Sequence, residues 1–152
     1  MVVVIAAILM GAVTLSFPRT GDDLLKEQAD RFTALLGLSQ DEAILQSRDL
    51  ALAIGETNYS FYMRTESGDD WQIFDSPPFT RRELVGGVEA ELFLEGVSIK
   101  FAKPDKVKPQ VLLLSSGEMT PFTLVFAYPQ KSRVTLKVNA VGEIEKVFKQ
   151  IK

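Results

Sequence analysis

Three short stretches of this chain hold residues whose types and spacing could do chemistry. Ser115-Ser116-Gly117-Glu118 sets hydroxyls beside a carboxylate, while Asp22-Asp23 and Asp69-Asp70 are paired carboxylates. A serine nucleophile needs a base to take its proton, and histidine is the usual base near neutral pH. The chain has no histidine and no cysteine. Histidine-based triads, thiolate nucleophiles, disulfides and cysteine-based metal sites are thereby excluded, and lysine is the only alternative base for a serine. The carboxylate pairs retain the option of a hard cation such as calcium. Adjacent acids on a strand point to opposite faces, however, and neither pair stands in an Asp-x-Asp-x-Asp-Gly loop. Asp69-Asp70 follows Gly68 and reads as a solvated turn; Asp22-Asp23 reads as a helix cap. No catalytic, cofactor-binding or metal-binding residue is assigned.

The remaining local features have structural readings. In the 115–118 stretch Gly117 permits a positive φ, and Pro121 fixes the entry to the next strand. Gly86-Gly87 is not a phosphate loop, because no helix signal and no Lys-Ser/Thr follows it. Arg81-Arg82, beside Pro78 and Phe79, reads as a solvated loop, with an exposed contact point for a neighbouring subunit as the alternative. Trp71 and Phe74 are expected in the core. The formal net charge of -3 over 152 residues, without a Lys/Arg cluster, argues against a nucleic-acid partner.

The elements that position these residues follow from periodicity. The first 18 residues carry no charged side chain. Val2, Val3, Val4, Ile5, Ala6, Ala7, Ile8, Leu9, Met10, Gly11, Ala12 and Val13 have the composition of a membrane helix. No basic flank precedes them, so an ordinary secretory signal fits poorly. A helix over residues 1–17 would span about 25 Å, against about 30 Å for a bilayer core. That shortfall leads to the expectation that residues are missing ahead of Met1.

After Pro18 an amphipathic helix is expected, capped by Asp22, with Leu25, Ala29, Phe32 and Leu36 as its buried stripe. Lys26, Asp30 and Thr33 fall off that stripe and should face solvent. Gly37 is a weak point, and residues 41–47 extend the helix. Pro18 and Gly21 should kink it relative to the membrane part. From Asp49 the period changes from about 3.6 to about 2. Seven or eight short strands follow without an intervening helix. "GETN", Gly96, a Ser-Gly turn before Pro121, and the bend at residues 139–142 mark the turns, while Pro77-Pro78 bars a ladder at that point. The expected fold class is α+β: an apolar transmembrane segment (1–18), an amphipathic continuation (19–48) and an antiparallel β-sandwich head (49–152).

Three stretches give this layout a family likeness. "ILMGAVTLSFP" is similar to the later part of a pilin-type N-terminal helix. "AILQSRDLALAIGETNYSFYM", followed by Trp71 and by Arg82-Glu83-Leu84, matches a passage from helix into a first hairpin. "LLLSSGEMTPFTLVF" matches a Ser-Ser-Gly-Glu-x-Thr-Pro-Phe turn, here Ser115, Ser116, Gly117, Glu118, Thr120, Pro121 and Phe122. On these residues the chain resembles the GspH/FimT group of type IV pilin-like proteins, over essentially its whole length.

The resemblance implies a structural minor pseudopilin of type II secretion, working in the pseudopilus tip that exports folded proteins across the outer membrane. It implies a single-pass inner-membrane protein of a Gram-negative bacterium with a periplasmic head. The implied partners are the I-, J- and K-type minor pseudopilins, the major pseudopilin, inner-membrane lipid and, before assembly, a prepilin peptidase. No cofactor and no small-molecule substrate is implied. The family opens with a basic leader and Gly-Phe-Thr-Leu-x-Glu, the peptidase and methylation site. None of this motif is in the present sequence, and Met1 aligns a few residues beyond its glutamate. A FimT-like minor pilin is the close alternative, and a membrane-anchored periplasmic binding domain or enzyme the distant one.

Overall fold

Among the described residues, one helix, α1 (Gly21–Leu45), and ten strands make up the head. The computed structural model describes residues 20–101 and 108–152; the expected membrane helix, Val2 to Val13 included, lies outside the described residues. Helix α1 starts at a capping box that begins with Thr20, not at Asp22. Thr20 is extended (φ -74°, ψ 158°), its hydroxyl oxygen accepts the Asp23 amide, and its own amide donates back to the Asp23 carboxylate. A Thr-x-x-Asp pair thus satisfies two amides that the helix leaves unbonded. The kink expected at Pro18 and Gly21, relative to the membrane part, involves residues outside the described ones. The helix then runs through Gly37, which is exposed and meets no neighbour, and is capped at Gln46.

The strands fall into two five-stranded antiparallel sheets. In the first, β1 (Leu50–Ile54) lies between β2 (Asn58–Arg64) and β7 (Val111–Leu113); β3 (Trp71–Ile73) and the two-residue β4 (Arg82–Glu83) both pair with β2. In the second, β5 (Glu89–Leu94) and β6 (Val97–Ile99) form a hairpin over Glu95 and Gly96, at φ 50° and 78°, the conformation of a type I′ turn. The order β6-β5-β8-β9-β10 is completed by β8 (Phe122–Tyr128), β9 (Ser132–Val138) and β10 (Ile144–Gln150). The two apolar runs on either side of the 115–121 turn therefore do not pair with each other. β7 belongs to the first sheet and β8 to the second, so the turn is where the chain changes sheets.

Every residue of β1 is buried, although Leu50, Leu52 and Ile54 alternate with other residues as a one-faced strand would. β1 is an inner strand of its sheet, and Ala51 lies in register between Tyr62 and Leu112, whose larger side chains flank it. The Gln110 side chain extends this ladder, donating to the Ile54 carbonyl and accepting the Ile54 amide, each at 2.8 Å.

The buried face of α1 carries the expected Leu25, Ala29, Phe32 and Leu36, and adds Leu35, Ala43, Gln28 and Ser39. Thr33, expected in solvent, is half-buried. The helix meets both sheets at once, so its covered arc is wider than one stripe. Phe32 marks the junction: its ring sits edge-on to Tyr59 of the first sheet (5.2 Å between centroids) and to Phe126 (5.6 Å) and Phe122 (6.3 Å) of the second. The aromatic series continues through Phe61 to Phe79 and Phe74. Phe74 is partly buried against the core, but Trp71 is not a core residue. It stands on β3, at a sheet edge, with the Arg64 guanidinium 4.4 Å from its ring.

Candidate assembly surface

The turn at residues 115–122 is built from backbone groups held at fixed places. The Leu114 amide donates to the Glu118 carbonyl (2.8 Å) and the Gly117 amide to the Leu114 carbonyl (2.9 Å). Gly117 sits at φ +94°, the left-handed region that only glycine enters without strain. The Ser116 hydroxyl accepts the Glu118 amide, so its local role is a turn contact. Ser115 donates its amide to the Asp49 carboxylate at 2.9 Å. Thr120 clips the turn back onto β7, exchanging two bonds with the Leu112 backbone through its hydroxyl and its amide. Met119 donates to the Ala140 carbonyl, and buried Phe122 leads into β8.

Helix α1 reads this junction through Gln40. Its side-chain amide donates to the Gly117 carbonyl (2.5 Å) and to the Val141 carbonyl (3.1 Å). One glutamine thus binds the sheet-crossing turn and the β9–β10 bend to the helix. Space there is tight. A Cβ on Gly142, which lies at φ +85°, would stand 2.6 Å from the Gln40 oxygen and 3.0 Å from the Met119 methyl. Higher on the same helix Gln28 acts alike, donating to the Val85 carbonyl (2.9 Å) and accepting the Val85 amide (3.1 Å). Glutamines set within the apolar face of α1 are the sequence signal for these contacts, one that apolar periodicity alone passes over.

A flank of α1 runs along β10. Asp22 accepts from the Ser132 hydroxyl (2.6 Å) and the Gln150 amide (2.8 Å). Lys26 stands over the Phe148 ring, and Lys146 donates to Asp30. These donors hold Asp22 below the ordinary carboxylate range, Ser132 contributing most; Asp23 is lowered chiefly by the Thr20 hydroxyl. Burial raises the Tyr59 phenol, against the pull of Arg82 and Arg31.

The outward face of α1 carries exposed apolar side chains. Leu38 and Leu45 are 48 % and 80 % exposed, and they are seven positions apart, one above the other on a helix. Ile44 and Val141 are also exposed, at the end where Gln40 gathers the turns. Of the other candidates, Arg82 is a β4 residue that donates to the Pro78 carbonyl, while exposed Arg81 pairs with Glu83. Phe79 is buried. Asp70 accepts the Trp71 amide in the loop before β3. Among the described residues no three Asp or Glu side chains converge as metal ligands, and no helix is long and apolar enough to cross a membrane.

A family model described as type II transport protein GspH matches residues 28–142. The type II secretion system protein H of Aeromonas hydrophila is 31% identical, over 80% of this chain and 75% of its own. That of Pseudomonas aeruginosa is 32% identical, over 83% and 77%. Among solved structures, a crystal structure of the minor pseudopilin EpsH from the type II secretion system of Vibrio cholerae superimposes with a TM-score of 0.69 at 25% identity. That match covers 84% of this chain and 98% of that one.

Proposed function

Since the chain belongs to the GspH family of type II transport proteins, we propose that it occupies the pseudopilus tip, with α1 as its main contact with neighbouring subunits. It is a structural minor pseudopilin of a type II secretion system, and its family is not an enzyme family. The observation that carries the finer reading is the two-sidedness of α1. One face is fixed against both sheets through Phe32, and the opposite face leaves Leu38 and Leu45 in water. Exposed apolar side chains set one above another on a rigid helix are a contact surface in waiting.

The partners of this surface are other pseudopilins: the major pseudopilin and minor subunits of the I, J and K types. The apolar stretch Val2 to Val13 holds the subunit in the inner membrane, with the head in the periplasm, until assembly. It then exchanges lipid for a bundle of similar helices. Lipid tails are as apolar as leucine, so close packing at Ala6, Ala7, Gly11 and Ala12 is enough to tip the exchange. A prepilin peptidase acts before that step. The turn from Ser115 to Phe122 serves by holding the head rigid on the helix.

The experiment replaces Leu38 and Leu45 together by aspartate in cells that depend on this subunit. Secretion of folded proteins should fall at least tenfold, while the head keeps its melting temperature. A cysteine at position 45, in a chain that otherwise has none, should cross-link to another pseudopilin. Normal secretion by the double variant would overturn the assignment of this face.

A further inference from the structure

We propose that β10 is a pairing edge for a second copy of this chain, the two β10 strands running antiparallel about a two-fold axis through Val147. β10 is the last strand of its sheet and seven residues long, whereas β6, at the other edge, has three. The Asn139 amide bonds the Glu143 carbonyl and the Ile151 amide the Lys131 carbonyl, which fixes the alternation along β10. Residues 145, 147 and 149 turn their backbone groups toward β9; 144, 146, 148 and 150 turn theirs to the open edge. An open edge of that length is a template for another strand.

The side chains specify which strand. With Val147 opposite Val147, Glu145 falls opposite Lys149 of the second copy and Lys149 opposite its Glu145. The open backbone groups come into register as well, 146 with 148 and 144 with 150. Within one copy this outer face is unbalanced. Glu145 faces Lys137 of β9, whereas Lys149 stands directly opposite Arg133, like charges that repel. Neither Lys149 nor Arg133 makes an ion pair among the described residues. A second β10 brings Glu145 to that spot, and symmetry makes the correction twice. Val147, 48 % exposed, supplies the apolar centre.

The axis stands normal to the sheet, so the paired heads carry α1 in opposite directions.

The test uses the full chain in mild detergent, with single cysteines at Val147 or at Val97 on the opposite sheet edge. Both are handled at the same chain-to-micelle ratio. Facing positions of this pair type lie about 4.5 Å apart at Cα, within disulfide reach. Under mild oxidation V147C should form a disulfide dimer at least tenfold faster than V97C. Adding E145K should slow it at least tenfold, and adding K149E to that variant should restore the rate. Equal rates at positions 147 and 97, no effect of E145K, or no recovery in the charge swap would each overturn the pairing.

Discussion

Helix α1 is fastened to the head along two lines that differ in kind. Its inner face is held by Phe32 among rings from both sheets, and by glutamines aimed at backbone carbonyls. Its flank along β10 is held by side chains of Asp22, Lys26 and Asp30 that meet β10 in solvent. Both lines look continuous, but water treats them differently. Buried contacts return the full transfer and packing free energy, whereas exposed charged pairs replace hydration that was already favourable. The inner line should therefore carry the stability and the outer line only the alignment.

The largest break in that comparison is Phe32→Ala. Removing a buried ring that touches three others should destabilise the head by about 3 to 5 kcal/mol, read as a lower urea midpoint. A loss under about 1 kcal/mol would mean that the helix is held elsewhere. Next comes a pair of glycines with nearly the same backbone. Gly142 (φ +85°) faces Gln40, whereas Gly68 (φ +78°) meets nothing within 4 Å. Alanine at 68 adds only the left-handed strain, about 1 kcal/mol. Alanine at 142 adds displacement of Gln40 from two carbonyls as well, for a total of about 2 to 3 kcal/mol. Equal losses would remove Gln40 from the inner line.

How much of this was legible in the sequence varies by region. The stripe Leu25, Ala29, Phe32 and Leu36 was legible because a helix that buries one face must repeat its apolar residues there. The bend at residues 139–142 and the turn at Gly96 were legible because glycine serves positive φ. The residues of the 115–122 turn were picked out by family likeness, but the change of sheet there was not. β7 and β8 both read as apolar strands, and which sheet a strand joins is decided by packing far along the chain. Trp71 misled, because an aromatic ring can cover an edge arginine as readily as fill a core. The β10 flank was also hidden. About four helix residues rise as far as two strand residues, so Asp22, Lys26 and Asp30 match Gln150, Phe148 and Lys146 only once the two elements lie side by side.

A smaller effect probes the outer line by pH. Asp22 and Asp23 are held below their ordinary value of 3.8 by hydrogen bonds to their charged forms. A lowered folded-state pKa adds stability above the unfolded value and loses it as pH falls through the folded one. Denaturation midpoints should be flat with respect to these groups above about pH 5 and decline below about pH 4. Asp22→Asn should make the decline shallower. An unchanged acid limb would mean that Ser132 and Gln150 do not favour the charged carboxylate.

The smallest effect is the most diagnostic of the contrast. Lys146 and Asp30 are about half-exposed (49% and 61%), and such pairs contribute about 0.2 to 1 kcal/mol at low salt. Lys146→Ala should change the urea midpoint by no more than that, and about 0.5 M sodium chloride, which shortens the screening length to a few ångströms, should erase the difference. The same salt should leave the Phe32→Ala loss unchanged, since no charge is involved. A Lys146→Ala loss above about 2 kcal/mol, persisting in salt, would show that β10 is bound to α1 as firmly as the core is, and the division of the helix into a load-carrying face and an aligning flank would fail.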